Sequence, residues 1–349
     1  MTTSDTRTEK AAESPDTARP DAASRAGWFG RIPGFGDPSA RFVHGWAIAQ
    51  LVVNVGIVVT GGAVRLTGSG LGCPTWPQCT DGSFVPHQAL GMHGAIEFGN
   101  RMLTWVLVVV AIGTWLAVFR HRDSTRGDRW LATLIALGIP FQAVIGGISV
   151  LTDLNPWVVS LHFVLSMALV SAATVLVFRT STRVRQRATN TVAARLGNAL
   201  SWLIYLFTWA TIYIGTVVTG SGPHAGDADA PRNGLDPGAM TQLHADFVFV
   251  LVGLALAVAV TTRVLRMPQT RAAFTYVALL ALQGIIGGIQ YATNLPMALV
   301  IAHMLGSGLL MIGATWLVLW FGRDQRAPAD VTSGTVTPGA DAARTEPVR

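Results

Sequence analysis

Eight runs of roughly 20 apolar residues recur along this chain of 349 residues, and nothing else in it restricts the fold so far. A run of that length matches a hydrocarbon core about 30 Å thick. Inside such a core each backbone amide and carbonyl has to be paired within its own element, and continuous apolar runs satisfy this as helices. The spans are predicted at about 42–64, 93–119, 130–150, 157–178, 198–219, 242–262, 272–291 and 296–321. Half of the residues are apolar and only 13% are charged, as expected of a polytopic membrane protein.

Arginine placement gives the orientation. Arg120, Arg122, Arg126 and Arg129, then Arg179, Arg183, Arg185, Arg187 and Arg195, then Arg263, Arg266 and Arg271, then Arg323 and Arg326 occupy alternate connections, whereas the intervening loops carry Arg65 and Arg232. Basic loops stay on the cytoplasmic side, so both termini are expected there, in a multi-pass protein of the plasma membrane. The formal net charge of +6 then reports topology and contact with anionic lipid, with no nucleic-acid partner.

The chain repeats itself. Gln142, Ile145, Gly146, Gly147, Ile148, Thr152, Leu154, Val159, His162 and Ser166 return, with no gap, as Gln283, Ile286, Gly287, Gly288, Ile289, Thr293, Leu295, Val300, His303 and Ser307. Val58-Val59-Thr60-Gly61 is echoed by Val217-Val218-Thr219-Gly220. Four spans per copy is an even number, so the copies are parallel repeats about an axis along the membrane normal. The expected fold is all-α, with eight transmembrane helices in two parallel-related four-helix bundles. The expected organisation is a disordered tail at 1–41, a bundle at 42–178, a cytoplasmic linker at 179–197, a second bundle at 198–321 and a disordered tail at 322–349.

Two features of the first half carry chemistry. After the first span comes Arg65-Leu66-Thr67-Gly68-Ser69-Gly70-Leu71-Gly72, then Cys73-Pro74-Thr75-Trp76-Pro77-Gln78-Cys79, a shaped loop. Its two cysteines are the only ones in the chain and fall on the oxidising side, where a disulfide is expected. A loop staple and a redox-active pair both remain open. The second span opens Met92-His93-Gly94-Ala95-Ile96-Glu97-Phe98-Gly99-Asn100-Arg101, which puts His93, Glu97 and Asn100 on one helix face. A carboxylate and a guanidinium at the start of a spanning helix are costly in lipid and mark either a site or an ion pair between helices.

Histidines then recur at one depth. His162, His244 and His303 lie near the same ends of three spans. Two imidazoles from facing helices can bracket one iron, and His244 with His303 supplies a complete pair in the second half. In the first half His162 needs a partner, and the repeat spacing puts Asn100 nearest that place, with His93 two helix turns away.

The Arg65–Leu71 stretch, the Cys73-Pro74-x-Trp76-Pro77-x-Cys79 loop, the Ile96-Glu97-Phe98-Gly99-Asn100-Arg101 signature and the histidines at 162, 244 and 303 together resemble the haem A synthase family, over about residues 42–321. The resemblance implies a membrane oxidoreductase that converts the C8 methyl group of haem O to the formyl group of haem A by two hydroxylations and loss of water. It implies a b-type haem as cofactor, ligated by His244 and His303, a substrate haem ligated by His162, and Glu97 as the catalytic acidic residue. It also implies an outer-loop disulfide between Cys73 and Cys79, and places His93, Asn100, Arg101 and Arg65 around the substrate haem, with the two arginines candidates for its propionates. Haem O synthase and cytochrome oxidase assembly factors are the implied protein partners. The chain departs from the family at Asn100, where many members have histidine. A di-haem b-type electron-transfer cytochrome is the alternative, although it is expected to complete both histidine pairs. A transporter using Glu97 and Asp246 is a third reading, and needs no histidines at one depth.

Overall fold

A computed structural model describes residues 36–181 and 191–325. They form eight helices: α1 (Ala40–Leu66), α2 (Gly91–Arg120), α3 (Arg126–Leu151), α4 (Pro156–Thr180), α5 (Thr191–Ser221), α6 (Pro237–Val264), α7 (Thr270–Ala292) and α8 (Met297–Gln325). All eight are long and apolar enough to cross a membrane, so this is an all-α, multi-pass membrane protein. Among the described residues the only extended pairing is one isolated bridge between Thr80 and Ser83. Of the expected 179–197 connection, residues 182–190 lie outside the described residues, as do 1–35 and 326–349 of the expected tails; the rest of the connection is mostly helical, since α4 runs to Thr180 and α5 begins at Thr191.

Each predicted span is present, but several helices outrun it. α6 starts at Pro237, not 242, because Asp236 accepts a hydrogen bond from the Ala239 amide and Pro237 occupies the first helical position. Ser39 caps α1, a Thr125–Asp128 capping box starts α3, and Asn155 with Pro156 starts α4. Capping chemistry sets where a helix begins, whereas apolarity shows only where lipid begins.

α3 and α7 stop in the same way. Asp153 and Leu154 hold φ of 51° and 58°, and Asn294 and Leu295 hold 59° and 60°. Left-handed backbone without glycine costs on the order of 1 kcal/mol or more per residue. It is offset by paired end bonds: Asp153 N to Val150 O (3.1 Å) with Leu154 N to Ser149 O (2.7 Å), and Asn294 N to Tyr291 O (3.4 Å) with Leu295 N to Gln290 O (2.8 Å). These tight turns start α4 and α8 in one register, so that His162 and His303 are each the seventh residue of their helix.

The helices close into two rings. In the first, α1 and α3 each pack on α2 and α4; in the second, α5 and α7 each pack on α6 and α8. The rings meet where α4 lies against α8, flanked by α1–α8 and α4–α5 contacts. Exchanging α1 with α5 and α4 with α8 maps these contacts onto themselves, as a two-fold axis beside α4 and α8 requires. Ser171 Oγ bonds Tyr205 Oη (2.9 Å) and Thr315 Oγ1 (3.0 Å) across the seam, and Ser160 pairs with Thr216.

The two largest buried apolar clusters lie toward one end of each ring. In the second ring Ile204, Leu251, Val258, Tyr276, Leu280, Leu317 and Phe321 pack together near the chain terminus and the α6–α7 turn. In the first ring Val43, Ala47, Val118, Ile135 and Leu176 do the same. The other end, here termed the loop face, carries the long α1–α2 and α5–α6 connections and all the candidate histidines. Outward faces present Trp105, Val109, Leu137 and Phe249 at the surface, as lipid contact requires.

Candidate functional site

In the second ring His244 of α6 and His303 of α8 face each other with ring centres 6.5 Å apart and planes at 62°. A metal–imidazole bond of about 2.0–2.1 Å, plus about 1.1 Å from nitrogen to ring centre on each side, places two opposed ligands roughly 6.2–6.4 Å apart. The separation therefore fits one metal held between the rings. Two imidazoles are an incomplete shell for a bare ion, and among the described residues no group of three or more His, Cys, Asp or Glu gathers to complete one. A flat macrocycle that brings its own equatorial donors is the group this pair suits.

Glycines admit the rings. A methyl group on Gly215 of α5 would stand 3.1 Å from His244 Cε1, and one on Gly287 of α7 would stand 3.0 Å from His303 Cε1. In the first ring Gly146 of α3 meets His162 of α4 in the same way, at 3.2 Å. In all three cases the edge of an imidazole lies over a helix surface bare of side chain. Gln283 Nε2 donates to the His303 carbonyl (2.8 Å), and Gln142 Nε2 donates to the His162 carbonyl (3.1 Å) and to Ser166 Oγ (2.7 Å). The repeated glutamines therefore tie each histidine's backbone to the preceding helix. The Nδ1 atoms of His162 and His303 are buried with no hydrogen-bond partner.

The first ring differs at the place equivalent to His244. Asn100 of α2 is the residue that repeat spacing puts nearest to it, and its Oδ1 accepts from Thr60 Oγ1 of α1 (2.8 Å). His93 is exposed at the mouth of α2, where Nδ1 bonds Ser69 Oγ (2.9 Å), and Gly72 packs on its carbonyl. It thus belongs to the docking of the α1–α2 loop.

Glu97 and Arg101 hold that loop. Glu97 is 5% exposed; its Oε2 accepts from the Cys73 amide (2.6 Å), and its Oε1 accepts from Arg101 Nε (3.1 Å) and Nη2 (2.5 Å). Arg101 Nη1 donates to the Thr75 (3.1 Å) and Gln78 (3.3 Å) carbonyls, and Nη2 to Cys73 O (2.9 Å). All five guanidinium N–H groups are thereby engaged within the protein, which leaves none for a haem propionate. Cys73 and Cys79 are joined as a disulfide, and both are buried. Arg65, at the end of α1, donates from Nε to His224 O (2.7 Å) and from Nη2 to Thr219 O (3.1 Å), so it latches the end of α1 to the end of α5 and the loop that follows it. Gly70 N to Gly226 O (2.8 Å) adds a second latch, and His224 Nε2 meets Leu295 O (3.3 Å). His224 is half-buried between loops.

The sequence singles out the histidines, Glu97 and Arg101 as candidates, but not the Ser69–His93 bond, the Arg65 latch or Gly215. Each joins segments far apart in the chain; for Gly215 the signal was its place four residues before Thr219 of the repeated Val-Val-Thr-Gly.

Residues 44–231, more than half of the chain, match the model of the cytochrome oxidase assembly protein family. The chain belongs to that family. Among curated relatives it is 26% identical over 186 residues to a protein named heme A synthase from Listeria monocytogenes, covering 51% of this chain and 59% of that protein. It is 29% identical over 186 residues to the heme A synthase of Lysinibacillus sphaericus (51% and 58%), and 25% identical over 213 residues to that of Bacillus licheniformis (57% and 67%). The chain thus spans a little under three fifths of the length of the first two relatives. The family match ends before α6, so the pairing of His244 with His303 rests on this protein's own geometry.

Proposed function

We propose that this protein is a haem A synthase: a plasma-membrane oxidoreductase, with both termini cytoplasmic, that oxidises the C8 methyl group of haem O to a formyl group. The methyl carbon loses two hydrogens and gains one oxygen, a four-electron oxidation. The observation that carries the reading is the facing pair of imidazoles, His244 and His303, in the second ring, beside a first ring whose repeated histidine, His162, lies on Gly146 as His303 lies on Gly287. In this reading residues 198–321 hold a resident b-type haem on His244 and His303, and residues 42–178 hold the substrate. A bound b-type haem supplies one-electron redox chemistry.

The protein's own groups then have distinct tasks. Gly215 and Gly287 admit the two ligand rings to the second ring's interior, and Gln283 fixes the backbone that carries one of them. In the first ring His162 holds the substrate iron from one side, steadied by Gln142. Asn100 Oδ1 is a weak iron ligand already occupied by Thr60, so the opposite side stays free for a molecule that has to enter, react and leave. Glu97 is the acidic residue at this site. A carboxylate offers about four lone-pair sites, and three are used by Cys73 N and Arg101, which leaves one to accept a proton at the substrate's edge. In this reading haem O comes from a haem O synthase, and haem A passes to the assembly of cytochrome oxidase.

The test is pigment extraction and chromatography on the purified protein, expressed with and without a haem O supply. Conversion of haem O to haem A that disappears in His162→Ala, while the second ring keeps its b-type haem, is the expected result. Two unmodified b-type haems and no haem A would instead make the protein an electron-transfer cytochrome.

A further inference from the structure

The two rings present the same Gly-Gly pair to the same histidine, yet they treat the second glycine differently. Gly146 and Gly287 each face an imidazole. Next to Gly146, Gly147 is buried beneath the indole of Trp76: a methyl group there would run into Cδ2 and stand 2.5 Å from Cε2 and 2.7 Å from Cγ. Gly288, its counterpart, has nothing within 4 Å of the same methyl position and is exposed. Trp76 comes from the disulfide loop, and the backbone is gripped on both sides of it. Cys73 and Thr75 before it and Gln78 after it bond to Glu97 or Arg101. The repeat therefore builds one open floor twice, and an inserted loop sets an aromatic ring on only one copy, one residue along α3 from the glycine that receives His162.

The geometry points to Trp76 as the substrate-seating residue of the first site. Its indole forms the α3-side wall and packs against the macrocycle of haem O, so that the two rings, alike in their helices, hold their haems differently. The inference rests on the haem O reading above and adds a residue to it. It gives the Glu97–Arg101 clamp a second purpose, which is to hold the indole in place. An aromatic ring packed on a flat apolar ligand contributes about tenfold in affinity.

The experiment uses the purified full-length protein. Haem O binding is followed by Soret absorption, KM and kcat are measured for conversion, and b-type haem in the second ring is counted by its pyridine haemochrome. Trp76→Ala is expected to weaken haem O binding and raise KM about tenfold, with kcat changed far less and one b-type haem retained. Gly147→Ala, whose methyl displaces the indole, is expected to do the same, and Trp76→Phe to fall between. Trp130→Ala, on the lipid-exposed face of α3, is the control and is expected to match wild type. Should Trp76→Ala fail to assemble, as judged by loss of the second-ring haem, Trp76→Phe and Gly147→Ala decide the matter. Assembled variants that bind haem O within about twofold of wild type overturn the assignment of Trp76. Wild-type protein that neither binds nor converts haem O overturns the functional reading itself, a distinguishable failure.

Discussion

Removing the Arg101 guanidinium should release the disulfide loop, and the size of the effect follows from the hydrogen bonds that this group makes. Arg101→Ala deletes three bonds to backbone carbonyls and both bonds to Glu97 Oε1. It leaves a carboxylate that is 7% exposed with the Cys73 amide as its sole remaining partner in this network. Breaking a buried pair from one side costs about 3–5 kcal/mol. Arg101 is itself 20% exposed, so the lower figure applies. About 3 kcal/mol is roughly a hundredfold in an opening equilibrium. Cys73 and Cys79 are at most 1% exposed, so a reductant reaches them only from an opened loop. When reclosing is fast, the reduction rate tracks the open population. The assay is the rate at which a low concentration of dithiol reduces the Cys73–Cys79 bond in detergent-solubilised protein, trapped with a maleimide and read as a gel shift. Arg101→Ala should react about a hundred times faster than wild type. Arg101→Lys, which restores charge without the fork, should fall between. A rate for Arg101→Ala within threefold of wild type would refute the clamp.

Other consequences are simpler to read. Gly287→Leu drives a side chain into the space of the His303 ring, so b-type haem per protein should drop by at least half, while Gly284→Ala, which meets nothing within 4 Å, should retain it; haemochrome stoichiometry checks this. Asn100→His restores the histidine that many family members carry at this position, and should add a low-spin six-coordinate signal in electron paramagnetic resonance while conversion of haem O is retained. Gln283→Leu removes the second hydrogen bond of the His303 carbonyl, which keeps its helical one, at a cost of about 1 kcal/mol, and should lower the thermal midpoint by a few degrees and shift the haem b reduction potential, whereas a purely structural role would leave the potential unchanged.

Much of this protein is legible in its sequence. Apolar run length implies eight helices, since a continuous apolar run of about 20 residues pairs its backbone within itself only as a helix, whereas barrel strands are shorter and alternate. The gapless recurrence of ten residues of Gln142–Ser166 in Gln283–Ser307 foretells two rings with histidines in one register, and the matching left-handed turns at Asp153–Leu154 and Asn294–Leu295 carry that likeness into the backbone. The eccentric member, Asn100, is also visible, because a broken repeat announces itself by its spacing.

What the linear chain determined was therefore everything with a period: span number, repeat, and the depth of each histidine. The tertiary structure alone decided which groups meet across loops. His93, a ligand candidate by its helix face, is bonded to Ser69; Arg101, a propionate candidate by its charge, gives all its donors to Glu97 and the loop; Trp76, one of 11 tryptophans, is singled out by lying on Gly147. The physical reason is that periodicity records how an element faces lipid or core, a property of neighbours along the chain. A side chain's hydrogen-bond partner depends on where an irregular loop folds back, and an irregular loop has no period to read.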